Sequence, residues 1–192
     1  MQAFDEGSIR FTFPDSWFVL KYDDCPYYRG PVVRTGTDAA AVDFIVASPT
    51  QPATLILIEV KDFRRYEVEN RSRLVSGDLA TEVARKVLDS LGALFVGARA
   101  NYAELRPFAS MLLLPPDQIQ VVLLLEEDQF TRGSGNTRSR LKQDTQLKRR
   151  GDLLQDLKTK LKPFRISPSL HDAANVPTQA GWSAVAFPIT LA

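Results

Sequence analysis

The chain of 192 residues contains one cysteine, Cys25, and one histidine, His171. A single cysteine excludes a disulfide within the chain and a zinc site built on cysteines, and a single histidine excludes metal motifs that use a histidine pair. No apolar segment is long enough to span a bilayer. The first residues carry Asp5 and Glu6 where a signal peptide would carry lysines. We therefore expect a cytoplasmic protein without a membrane partner.

Nucleotide-binding and hydrolase motifs are also missing. The sequence has no G-x-x-x-x-G-K-[ST] segment, no G-x-G-x-x-G segment and no nucleophile elbow. The use of ATP or NAD and a Ser-His-Asp mechanism are therefore not expected. The composition, with 44% hydrophobic and 24% charged residues, predicts one domain with a substantial core.

Charged residues occur where the pattern otherwise predicts a core. Asp43 lies within the apolar segment 42–46, and a second apolar segment, 55–58, runs directly into Glu59, Val60 and Lys61. Segments that are apolar at every position predict strands buried on both faces. Ionised groups in such strands cost several kcal/mol each unless they are paired or bind a metal.

The geometry of a strand places these charges together. Side chains two residues apart point to the same face, so Glu59 and Lys61 project together, whereas Val60 turns away and leaves its carbonyl near the carboxylate. With Asp43 from the neighbouring strand, two carboxylates and a carbonyl are the oxygen ligands that Mg²⁺ or Mn²⁺ prefers. We predict a metal site formed by Asp43, Glu59 and Val60, with Lys61 beside it.

This pattern of Asp43 followed by Glu59-Val60-Lys61 resembles the PD-(D/E)XK nuclease superfamily, with Val42 where the superfamily's name has proline. The resemblance implies a restriction-endonuclease-like core in the order helix, three strands, helix, strand. It also implies that Asp43, Glu59 and Lys61 are catalytic residues of a metal-dependent nuclease. The segments Lys21–Asp24 and Lys61–Arg64 are in addition similar to an uncharacterised group of bacterial proteins.

The remaining hydrophobic pattern predicts elements in a similar order over residues 1 to about 127, except that Phe11–Pro14 is typical of an extended segment rather than of a first helix. Beyond that core we expect a basic helix and a last strand between residues 139 and 192. The whole chain is thus predicted to be a single α/β domain with a central mixed sheet flanked by helices. The predicted strands are 16–21, 41–47, 54–61, 120–125 and 181–188, and the predicted helices are 78–98 and 139–163.

Further polar residues are candidates for a supporting role. Glu82 and Lys86 lie one turn apart on the first predicted helix, and the resemblance implies that a polar residue of this helix reaches the active site. An ordinary ion pair on the surface is the alternative. After the first strand, Asp23 or Asp24 is placed to add a ligand or position a water, although a capped turn explains the same residues.

The net charge of +1 hides an uneven distribution. Residues 132–165 contain eleven Lys or Arg and three Asp, a local balance of +8, so the rest of the chain carries −7. A basic segment on an acidic body predicts a polyanionic partner whose affinity falls with salt, the alternative being a solvated helix face. The nucleic-acid contacts that we predict are Arg64, Arg65, Lys148, Arg149 and Arg150.

Two functions remain open from the sequence. The first is a magnesium-dependent endonuclease or exonuclease acting on DNA, in defence or repair, with an RNase as a variant of it. The second is a non-catalytic nucleic-acid-binding or scaffold module of the same fold, which predicts binding that survives the loss of Asp43. A homodimer or a complex with another protein is compatible with both functions.

Overall fold

The computed structural model describes residues 1–49, 52–128 and 137–189, and it describes the side chains of these residues except those of 67–71 and 137–139. Within these ranges the chain forms eight strands, three longer helices and several single helical turns. The strands are β1 (Gln2–Glu6), β2 (Ile9–Phe13), β3 (Phe18–Lys21), β4 (Phe44–Ser48), β5 (Thr54–Asp62), β6 (Ile119–Glu126), β7 (Ser167–His171) and β8 (Ser183–Ala186). The helices are α1 (Glu67–Ser76), α2 (Asp78–Arg99) and α3 (Thr137–Leu161).

The central sheet is mixed and has five strands in the order β3-β4-β5-β6-β7. β3, β4 and β5 are antiparallel neighbours, whereas β6 runs parallel to β5 and β7 runs parallel to β6. The parallel connection from β5 to β6 contains α2, as a crossover requires. The predicted order of three strands, a helix and a strand is confirmed. β4 begins at Phe44, so Asp43 precedes the strand rather than lying inside it.

Both faces of the central strands are buried, as the uninterrupted apolar segments predict. Ile45, Leu57 and Leu123 face α2 and α3 in one hydrophobic cluster. Phe44 and Ile58 belong to a second cluster on the opposite face. Because each fully buried side chain of this size contributes about 1.5–3 kcal/mol, these strands supply much of the stability.

A second sheet covers the face of the central sheet that the helices leave open. It is antiparallel, with the order β1-β2-β8, and it packs through Phe11, Phe13 and Trp182 against Phe44. The predicted last strand therefore forms at residues 183–186, but in this second sheet. The expectation of a central sheet flanked by helices is correct for one face and wrong for the other. The alternation of buried and exposed residues in β2 explains why, since such a strand covers a core on one side only.

The predicted basic helix is also present, as α3. Leu153, Leu157 and Leu161 are buried in the cluster shared with α2, whereas Leu141 and Leu147 are exposed. The helix packs against α2 and β7, and it ends two residues before Pro163. No helix within the described ranges is long and apolar enough to cross a membrane.

Gly97 allows α2 to pack closely on the segment after β3. A Cβ at this position would lie 2.5 Å from Cζ of Tyr27 and still closer to the side chain of Leu105. We expect Gly97→Ala to lower the free energy of unfolding by about 1–3 kcal/mol, because overpacking outweighs the better helix propensity of alanine. Urea denaturation followed by circular dichroism measures this change.

Gly92 is the matched control on the same helix. Nothing lies within 4 Å of a Cβ added there, so Gly92→Ala is expected to raise the free energy of unfolding by about 0.5–1 kcal/mol through helix propensity. Equal effects at the two positions would contradict the close packing at Gly97.

Candidate active site at the ends of strands β4 and β5

Asp43 and Glu59 lie opposite each other on neighbouring antiparallel chain segments. The register of β4 on β5 pairs Phe44 with Ile58, so the next pair along the chain is Asp43 with Glu59. Asp43 Oδ2 accepts a hydrogen bond from the backbone N–H of Val60 at 2.6 Å. Lys61, two residues after Glu59, projects to the same face of the sheet. The three residues predicted to be catalytic are therefore brought together.

Glu59 is the centre of an ionic network. Its side chain is 0% exposed, and its Oε1 atom lies 2.8 Å from Lys61 Nζ and 2.6 Å from Lys86 Nζ. Lys86 reaches the site from α2, and Glu82 on the preceding turn lies 2.9 Å from Lys61 Nζ and also pairs with Arg73. Both polar residues that the sequence suggested on this helix therefore contact the site.

The protonation equilibria of the site reflect burial and close charges. Burial raises the pKa of Asp43 to about 7, and the adjacent carboxylate of Glu59 adds to this effect. Burial alone would lower the pKa of Lys61, but Glu59 and Glu82 outweigh it and hold this pKa above its ordinary value. Burial works against ionised Glu82, yet Lys61 and Arg73 lower its pKa. Lys61 thus stays cationic, whereas Asp43 is the group whose charge is least stabilised.

The choice between Asp23 and Asp24 is decided by their contacts. Asp24, one of the two candidates for a supporting role, forms ion pairs with Lys21 and Arg29 and is exposed. The charge of Asp23, in contrast, contributes to the raised pKa of Asp43. Burial raises the pKa of Asp23 itself, and its Oδ1 atom is buried without a hydrogen-bond partner among the described residues.

Two features of the site bear on the predicted metal. Glu59 Oε2 is buried and has no hydrogen-bond partner within the described part of the chain, and burial next to another carboxylate raises the pKa of Asp43. A divalent cation would relieve both conditions, so the donor set fits one. The set is small, because no group of three or more His, Cys, Asp or Glu in residues 1–49, 52–128 and 137–189 is arranged to hold a metal ion.

Arg64, which we predicted to contact nucleic acid, is engaged within the protein. Its guanidinium donates hydrogen bonds to Asp62 at 2.6 Å, to the Ser8 hydroxyl at 2.6 Å and to the Phe187 carbonyl at 2.8 Å. These contacts connect the end of β5 to the second sheet. Arg65, the next residue, is exposed and remains accessible to a ligand.

Some of the nucleic-acid contacts predicted on α3 are likewise engaged within the protein, and one is accessible. Arg149 and Arg150 lie 3.4 Å and 3.3 Å from the buried carboxylate of Glu127. Arg150 also donates to the Leu125 carbonyl at 3.0 Å. Lys148 is exposed. Of the three adjacent cationic residues, one therefore lies on the surface and two stabilise the end of β6.

Comparison with known proteins finds a partial likeness. The chain is 28% identical over 152 residues to a cysteine–tRNA ligase of Neisseria meningitidis serogroup A / serotype 4A (strain DSM 15465 / Z2491). The aligned region covers 66% of this chain and 21% of the ligase. The chain thus spans about a fifth of that relative's length. No family model and no solved structure matches the chain.

Proposed function

We propose that this protein is a metal-dependent nuclease that hydrolyses phosphodiester bonds in DNA. The observation that supports it best is the pair of buried carboxylates, Asp43 and Glu59, placed opposite each other with a partly buried ammonium group, that of Lys61, on the same face. Maintaining this arrangement is costly in a core, and the raised pKa of Asp43 reflects the cost. Perturbed groups of this kind cluster at catalytic sites.

The residues that would hold Mg²⁺ or Mn²⁺ are Asp43 and Glu59, together with the carbonyl of Val60. The Oε2 atom of Glu59 is a buried acceptor that has no hydrogen-bond partner among the described residues. When bound, such a cation supplies polarisation of the scissile phosphate and lowers the pKa of a bound water.

Lys61 and Lys86 have separate roles in this proposal. The raised pKa of Lys61 keeps its ammonium group charged at neutral pH, which suits it to stabilise negative charge on the phosphate and to orient the attacking water rather than to accept a proton. Lys86 holds Oε1 of Glu59 at 2.6 Å and thereby positions that carboxylate. Glu82 fixes Lys61 from the other side.

The proposal is tested by Lys61→Met. We expect a loss of cleavage of about 100-fold or more, because a preorganised charge at the phosphate is removed. The measurement is the release of labelled fragments from DNA and RNA substrates with Mn²⁺, with circular dichroism to establish that the variant folds.

Lys21→Met is the matched control. Lys21 also lies at the end of a strand and pairs with two carboxylates, Glu6 at 3.0 Å and Asp24 at 3.3 Å. We expect cleavage by this variant to equal that of the wild type. If Lys61→Met retains wild-type cleavage, the catalytic assignment is wrong.

The ionic network also favours a second candidate, a nucleic-acid-binding module that does not cleave. Two ammonium groups already neutralise Glu59, so the site is charge-balanced in part without a cation. This candidate predicts that Asp43→Asn binds nucleic acid as the wild type does and that neither protein cleaves it. Because the partial relative is a cysteine–tRNA ligase, RNA belongs in both the binding and the cleavage assays.

A further inference from the structure

A groove of about 560 Å³ lies between the last turns of α3 and the segment that leads into β7. Lys158 and Lys162 line it on the helix side, and Arg165 and Ser167 line it on the other side. We call this surface the α3–β7 groove. Its three cationic side chains converge on one concave surface.

The charge of the α3–β7 groove is not neutralised within the protein. Residues 157–171 contain no Asp or Glu, and the side chains of Lys158, Lys162 and Arg165 form no ion pair with a described carboxylate. Arg149 and Arg150, in contrast, are paired with Glu127. The cations available to an anionic ligand are therefore in the last turns of the helix.

An exposed aromatic ring accompanies these cations. Phe164 does not line the groove, but it lies between the lining residues Lys162 and Arg165 in the sequence and is 48% exposed. Cationic surfaces with an exposed aromatic ring beside them are typical of proteins that bind unpaired nucleic acid, in which the phosphates contact the cations and a base stacks on the ring. An inorganic anion has no base that could stack on this ring.

We propose that the α3–β7 groove binds the phosphodiester backbone of a nucleic acid, with Lys158, Lys162 and Arg165 contacting phosphates and Phe164 contacting a base. This site deepens the proposed function, because it locates where the substrate is held. It rests on the proposed function only in that the bound nucleic acid is also the substrate that is cleaved. Binding is measurable without cleavage.

The strand register gives the distance from the groove to the candidate active site. Ser167 is paired with Gln120, which is paired with Ile56. Glu59 lies three residues beyond Ile56, about 10 Å along the strand, and two strand spacings add about 10 Å in the perpendicular direction. The separation within the sheet is thus about 14 Å, or about four nucleotide steps of one strand at 3.4 Å each. A ligand that contacted both places would follow a longer path over the surface, because α2 and α3 cover this face of the sheet.

The test compares two double variants in binding to a fluorescein-labelled single-stranded DNA, with a chelator present to prevent cleavage. Lys158→Gln with Lys162→Gln removes two charges from the groove. Lys160→Gln with Arg34→Gln removes two charges from exposed positions that do not line it. The control variant has the same net charge as the groove variant. One of its two substitutions, at Lys160, also lies on α3.

We expect the groove variant to bind about tenfold or more weakly and the slope of log affinity against log salt to fall by about 1.4, since each lost phosphate contact to a single strand accounts for about 0.7. The control is expected to bind as the wild type does. Equal weakening in both double variants would overturn the proposal, because binding would then follow net charge alone. Wild-type binding by the groove variant would overturn it as well. Cleavage by the wild type in a parallel assay with Mn²⁺ and no chelator would then leave the nuclease proposal standing.

Phe164→Leu separates a nucleic acid from a generic polyanion. We expect this variant to bind the single-stranded DNA several-fold more weakly and heparin as the wild type does, because heparin has no base to stack on the ring. Unchanged affinity for both ligands, or an equal loss for both, would contradict the assignment of the groove to nucleic acid.

Discussion

Asp43→Asn is expected to make the metal-free protein more stable at about pH 8, by on the order of 4 kcal/mol. The carboxylate of Asp43 is 8% exposed, and burial together with Glu59 raises its pKa from 3.8 to about 7. Asparagine keeps the shape of the side chain and can still accept the hydrogen bond from the Val60 N–H, but it carries no charge. The charge that burial disfavours is thereby removed.

The effect of Asp43→Asn on stability depends on pH. Between about pH 4 and 7 the folded wild type keeps the Asp43 proton, whereas the unfolded chain releases it, so the wild type loses stability as the pH rises through this range. The stability difference between variant and wild type should therefore be smallest near pH 4 and reach its full size above pH 7. Urea denaturation with a chelator at several pH values measures it. A difference that does not change with pH would contradict the buried, ionisable Asp43.

Glu59→Gln is expected to have the opposite effect and to lower the free energy of unfolding by about 3–5 kcal/mol. Glu59 is fully buried and is the carboxylate to which both Lys61 and Lys86 are bonded. Glutamine can accept a hydrogen bond but cannot neutralise two ammonium groups, and these groups are themselves largely buried. Lys86 would lose the carboxylate to which it is bonded, and Lys61 would keep only Glu82.

The measurement for Glu59→Gln is again urea denaturation, at about pH 8 with a chelator. Asp5→Asn is a control, because its ion pair with Arg10 is exposed and its loss should leave the midpoint of unfolding nearly unchanged. If Glu59→Gln were as harmless as Asp5→Asn, the Glu59-Lys61 segment would be the solvated end of a strand, and no functional site would follow from it.

The elements that build the site could be predicted because their sequence signals are strong. β5 and β6 are uninterrupted apolar segments, and α2 is a long amphipathic helix, so their positions agree with the predictions to within one or two residues. Asp43, Glu59 and Lys61 stood out because charges interrupt otherwise apolar segments. Their meeting on one face follows from the two-residue period of a strand.

Other parts of the fold depend on contacts between segments that are distant in the sequence, and a local hydrophobic pattern does not show such contacts. β7 was missed because Ser167, Pro168 and Ser169 give it little strand propensity, and its pairing with β6 at the edge of the sheet determines its conformation. The second sheet was not recognised because β2, which pairs with β1, also pairs with β8 from almost the other end of the chain.

The partners of the basic residues were equally hidden in the sequence. Arg64 and Arg150 look like ligands for phosphate in the sequence, but their partners, among them Asp62 and Asp172, are defined by the folded chain. Lys86 is the opposite case. It resembles an ordinary surface residue of a helix in the sequence, but its contact with Glu59 makes it part of the candidate site.

The most direct test of the account is the binding of Mn²⁺ to wild type and to Asp43→Asn, measured by calorimetry with and without a single-stranded oligonucleotide. We expect the wild type to bind Mn²⁺ in at least one of these conditions and the variant to bind about tenfold or more weakly under the same condition. Equal affinity of the two proteins for Mn²⁺, or no binding by the wild type even with the oligonucleotide, would contradict a metal site at Asp43 and Glu59.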